Sequence, residues 1–212
     1  MTALDHLPDH ESAVAPEEFA GPDHPMRKVT RGVAFDGQWN DERAQKVADL
    51  FDGLASEWTE GRGNVVRAAP LLDALDRGGL PLDGDWLELG SGTGVGSRIL
   101  SARVGSLICT DIAPEMLRLS VSDAPRFRSD ASSLPLPHEA VDVVVMVNML
   151  LFPAEVDRVL RPGGAALWIN TNGDQTPIHL PPGDVISALP GDWSGVTARA
   201  GTGFWLVARR TG

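Results

Sequence analysis

Glu88-Leu89-Gly90-Ser91-Gly92-Thr93-Gly94 joins a short apolar run to a helical pattern. Three alternate glycines let a chain turn tightly and bring its main chain close to a bound molecule, while Glu88 sets a carboxylate at the end of the run. Asp111 ends the next apolar run, near the roughly 20-residue spacing at which an acid meets ribose hydroxyls in nucleotide-binding α/β folds. It can accept two hydroxyl hydrogen bonds and can also cap the helix that opens at Pro114; the two roles are compatible. Asp130 ends a third run and precedes Ala131, small enough to leave its backbone amide accessible. Three run ends bearing an acid line a negative cleft, suited to a ligand with a positive centre and hydroxyls and poorly suited to a pyrophosphate.

The elements that position these acids follow from periodicity. After Asn40, a plausible cap, Ala44, Val47, Ala48, Phe51, Leu54, Ala55 and Trp58 recur at three- and four-residue steps, predicting a helix that stops at Gly61 and Gly63. A second helix runs from near Asn64 to Gly78-Gly79, bent or restarted at Pro70. Short strands are predicted at 86–89, 107–110, 127–129, 141–147 and 165–169, alternating with helices for which Pro114 and Pro153 supply starts. A brief helical turn is expected over 184–189. Runs at 195–200 and 204–209, separated by Gly201-Thr202-Gly203, predict an antiparallel hairpin that closes the sheet.

Composition bounds the rest. The 212 residues are 42% hydrophobic and 22% charged, as in a globular protein, and one cysteine, Cys109, excludes an internal disulfide. A net charge of −11 with scattered basic residues argues against a nucleic-acid partner. No run is apolar enough to span a membrane and the start has no signal pattern, so a cytoplasmic location is expected. Residues 1–30, with four prolines and little apolar periodicity, are expected to be a flexible or loosely docked arm. Residues 31–212 read as one domain, with a helical cap over 31–80 and an α/β core over 84–212. Pro8 between His6 and His10 argues against aligning that pair as metal ligands, and no metal site is expected.

Taken together and in order, these segments resemble the class I S-adenosylmethionine-dependent methyltransferases, in particular the small-molecule branch that includes the ubiquinone and menaquinone methyltransferases. The likeness spans about residues 48–170. Glu88–Gly94 is similar to the family's first motif, Asp111–Leu117 to its second, Asp130-Ala131 with Leu134-Pro135 to its third, Val141–Val147 to its fourth, and Leu160–Gly164 to the turn before its fifth strand. The resemblance implies a three-layer Rossmann-like methyltransferase fold, with a mostly parallel seven-stranded sheet and a C-terminal antiparallel hairpin. It also implies the roles. Gly90, Ser91, Gly92 and Gly94 pass the methionyl part of S-adenosylmethionine and Glu88 holds its amino end. Asp111 takes the ribose, Ile112 and Met116 sandwich the adenine, Asp130 and the Ala131 amide read its edge, and Asn148 lies near the sulfonium.

Methyl transfer from a sulfonium needs an in-line nucleophile and exclusion of water, so no dedicated base is obligatory. The catalytic residues are left unassigned, with His179 and Asn148 as candidates; the chain has no tyrosine. The acceptor pocket is expected among Phe35, Trp39, Trp58, Asn170, Asn172 and His179, an aromatic wall with amides suited to a small, flat or apolar acceptor. A binding protein that holds S-adenosylmethionine or S-adenosylhomocysteine without catalysis is the alternative. A nicotinamide enzyme is disfavoured because Val95 stands where its glycine pattern needs glycine. The oligomeric state is left open.

Overall fold

A computed structural model describes residues 4–11, 21–58 and 65–211. The expected helix stop at Gly61 and Gly63, and the start at Asn64, lie outside these residues. Three helices come first: α1 (Met26–Asp36), α2 (Asp41–Trp58) and α3 (Val65–Arg77), the last with Pro70 inside it. The alternating part follows as β3 (Asp85–Leu89), α4 (Val95–Ser101), β4 (Ser106–Asp111), α5 (Pro114–Arg118), β5 (Arg126–Arg128), β6 (Val141–Val147), α6 (Pro153–Val159) and β7 (Leu160–Asn170). Helix α7 (Pro182–Ala188) and the hairpin β8 (Trp193–Gly201) and β9 (Gly203–Arg210) complete it. Proline opens α5, α6 and α7, where a missing N–H leaves nothing unsatisfied.

The strands lie in the order β5-β4-β3-β6-β7-β9-β8, parallel except for β9, which is antiparallel to both neighbours. Alternate residues face opposite layers. Leu87, Leu89, Val144, Met146 and Trp168 pack on one side with α1, α6 and α7, while Trp86, Val143, Val145, Leu167 and Ile169 pack on the other with α3. Because β6 is covered on both faces, its sequence reads Val-Asp-Val-Val-Val-Met-Val with no wet side. Chain order reverses between β3 and β6, and the carboxyl ends of those strands open the crevice.

Two elements depart from expectation. The N-terminal residues are not a loose arm where they are described: β1 (Leu4–His6) and β2 (His10–Glu11) run parallel to β8 along its outer edge, making nine strands rather than seven. The Asp9 carboxylate accepts the Arg199 N–H, and the Leu7 N–H donates to the Thr197 carbonyl. A short strand pairing on a preformed edge needs main-chain partners rather than apolar periodicity, which is why composition does not reveal it. Helix α1 also begins inside the expected arm, at Met26. His10 lies 2.8 Å from Asp73, which also accepts the Trp205 indole and the Arg77 guanidinium.

Candidate cofactor and acceptor site

At the carboxyl end of the sheet a cavity of about 350 Å³ opens over the switch point. The turn after β3 forms its floor. Gly90, Gly92 and Gly94 all have left-handed backbone, and at Gly90, with φ of 65°, a side chain would be strained and its Cβ would push the Met149 sulfur aside. The turn is fastened from below: the Ser91 N–H donates to the Thr110 carbonyl at 3.0 Å and the Gly92 N–H to Asp111 Oδ2 at 2.8 Å.

Each of the three acids lines this cavity, and each is held differently. Asp111, at the end of β4, accepts from Gly92 with one oxygen and from the Ala113 N–H with the other, at 2.9 Å. Its carboxyl is raised above the ordinary range by burial, against the pull of those N–H groups. Glu88 is 2% exposed and reaches under α4, where Ser97 Oγ donates to it and the Cys109 thiol lies 3.7 Å away. Burial raises Glu88 from 4.5 to about 7, and burial together with the Glu88 charge lifts Cys109 to about 12, which leaves the thiol inert. Asp130 accepts the Ser132 N–H on Oδ1 and the Trp39 indole on Oδ2, both at 2.8 Å.

Helices supply the walls. Asp52 in α2 accepts the Glu115 N–H at the start of α5, which brings Phe51 and Trp58 beside Ile112 and Met116. Their rings meet edge-on with centroids 5.3 Å apart. Met116 is almost wholly buried against Ala55 and Ala113, so it serves core and cavity together. On the other side Arg67, Leu71 and Leu72 of α3 and Arg98 and Ile99 of α4 line the wall, contributions that the sequence reading missed. The signal available was the four-residue step from Arg67 to Leu71 on one helix face.

Asn148 sits just past β6 with φ of 51°, its side chain spent on Thr171: Nδ2 donates to Oγ1 at 2.9 Å and Oδ1 accepts the backbone N–H at 3.0 Å. It therefore clamps the ends of β6 and β7 while keeping one N–H and one lone pair of its amide for other use. Four expected acceptor residues are not brought here, among them Asn172, which is buried in the turn after β7 with its N–H donating to Thr176 Oγ1. Asn170 lies inside β7 and donates to the Ile178 carbonyl, and Phe35 is exposed under Arg31. His179 packs edge-on against Phe204, away from the cavity, and burial depresses it to about 4. Of the segment after β7, Thr171 and Ile178 reach the crevice, while His179 is turned away from it. Trp39 and Trp58 do line the cavity. Among the described residues, no histidine, cysteine or lysine lines it.

Residues 87–168 match a family model described as a methyltransferase domain. The match covers 82 of the chain's 212 residues, from β3 to β7. The bifunctional biotin biosynthesis protein BioHC of Cellvibrio japonicus is 33% identical over 153 residues, covering 64% of this chain and 29% of that protein. The demethylmenaquinone methyltransferase of Tropheryma whipplei is 31% identical over 90 residues, covering 37% of this chain and 38% of that one. The chain thus spans well under half the length of these curated relatives. A S-adenosylmethionine-dependent methyltransferase from Aquifex aeolicus superposes with a TM-score of 0.58 at 18% identity, over 81% of this chain and 98% of that one, a likeness of fold. The donor set of the domain fits S-adenosylmethionine. Acids stand at three adjoining strand ends, glycine main chain lies between them, and apolar side chains of Ile112, Met116 and Trp58 can take a flat base.

Proposed function

We propose that this chain is a S-adenosylmethionine-dependent methyltransferase that passes a methyl group in line to a small, largely apolar acceptor. The observation that carries the proposal is the convergence of Glu88, Asp111 and Asp130 around one glycine turn in a single cavity. S-adenosylmethionine supplies an electrophilic methyl on sulfur. The chain's part is to bind and orient. Glu88 faces the amino end, Asp111 the ribose and Asp130 the base, with the Ala131 amide beside it. Trp39, Phe51, Phe152, Met149 and Ile178 give the acceptor an apolar wall that keeps water out. An apolar acceptor is in keeping with the demethylmenaquinone for which one relative is named.

Among the described residues no histidine, cysteine or lysine lines the cavity, so acceleration comes from proximity and desolvation, and the acceptor brings a nucleophile that reacts once desolvated. The same absence supports a second reading, a protein that holds the cofactor or its product without turnover. Calorimetry with S-adenosylhomocysteine tests the shared part, and no uptake by folded protein refutes both. Release of label from methyl-labelled S-adenosylmethionine across a metabolite panel separates them, since binding with no transfer to any extract supports the holder. Small-molecule acceptors, no nucleic acid and a cytoplasmic site of action complete the proposal. Among the described residues no helix is long and apolar enough to cross a membrane.

A further inference from the structure

Both oxygens of Asp130 are already engaged. The Ser132 N–H donates to Oδ1, and to Oδ2 comes the indole N–H of Trp39, a residue 91 positions away in the α1–α2 connection. The Trp39 ring is itself fixed, edge-on to Phe152 with centroids 5.1 Å apart at 76°, and it lines the same cavity. A carboxylate oxygen accepts two hydrogen bonds, so each retains one lone pair, and the two donors set where those lone pairs point. Left alone, the terminal torsion of an aspartate is broad. We propose, resting on the cofactor reading above, that Trp39 is a positioning residue for the nucleobase. It holds Asp130 so that a remaining lone pair meets an exocyclic amine, which makes the site selective for an aminopurine over an oxopurine. An oxopurine turns a carbonyl to the same place, acceptor against acceptor, and leaves buried groups unpaired.

The test is equilibrium binding of S-adenosylhomocysteine and of its inosine analogue, in which the six-amino group is replaced by oxygen, to the full chain. The unaltered protein is expected to prefer the adenine compound by about tenfold or more, the scale of one hydrogen bond to a charged group. Trp39→Phe keeps a ring and loses the donor, and is expected to reduce that preference to about twofold while still binding S-adenosylhomocysteine. Trp39→His, which restores a ring N–H, is expected to recover part of it. Full preference retained by the phenylalanine variant overturns the proposal and leaves the cofactor reading standing. Tighter S-adenosylhomocysteine binding by that variant also overturns it, by showing that the indole plugs the base site. Uptake of neither compound by the unaltered protein sinks both. Should the variant not fold, the indole N–H resonance of Trp39 in unaltered protein decides. It is expected to keep its carboxylate-bonded downfield position when S-adenosylhomocysteine is added, and a return to the ordinary position refutes the proposal. Trp205, which donates to Asp73 at 2.6 Å outside the cavity, serves as the reference signal.

Discussion

Glu88 couples the folding of this chain to pH. Its carboxyl titrates near 4.5 when unfolded and near 7 when buried under α4. Between those values the unfolded chain gives up the proton and the folded chain keeps it, so stability falls as pH rises through the window and levels off above 7. The total is on the order of 3 kcal/mol. Glu88→Gln is expected to abolish this fall, so that its urea midpoint at pH 8 equals or exceeds that of the unaltered protein; parallel pH curves for the two contradict the assignment. An ammonium beside Glu88 favours the carboxylate, so affinity for S-adenosylhomocysteine is expected to rise with pH through 7, and not to do so in the glutamine variant. Asp111→Asn keeps the shape and loses the charge at the ribose position. Calorimetry is expected to show affinity weakened by about 10- to 100-fold, the loss of one or two charge-assisted hydrogen bonds.

Strand by strand, the parallel core was legible because β3, β4 and β6 are buried on both faces and announce themselves as compact apolar runs. The glycine turn was legible because a left-handed main chain favours glycine at three alternate positions. Gly90→Ala is therefore expected to cost about 2 kcal/mol or more and to abolish cofactor binding, visible as a lowered melting temperature with no shift on adding S-adenosylhomocysteine. What the residues did not disclose is pairing at a distance. The fate of His179 depends on how the segment after β7 folds back onto Phe204, and that of residues 4–11 on an edge built far along the chain. Neither leaves a local period. Removing residues 1–11 is expected to bare the outer edge of β8 and give concentration-dependent association in light scattering; an unchanged monodisperse species argues that the edge is protected otherwise.

For the molecule as a whole, Glu88 and His179 are two buried groups through which pH acts in opposite senses. His179 falls from 6.5 to about 4 on folding because burial disfavours its charged form. The unfolded chain takes up a proton below 6.5 where the folded chain does not, so this contribution is present above 6.5 and is lost as pH falls towards 4. Between about 4.5 and 6.5 it opposes Glu88 with similar weight. The pair therefore contributes a nearly flat profile in that interval, and His179→Gln is expected to uncover a decline with rising pH in chemical denaturation. The parallel pairing of β1 and β2 with β8 carries a further consequence, for the order of events during synthesis. Asp9 waits for Arg199, 190 residues later, so during synthesis β1 and β2 emerge well before β8 exists, and their docking is expected to follow its formation.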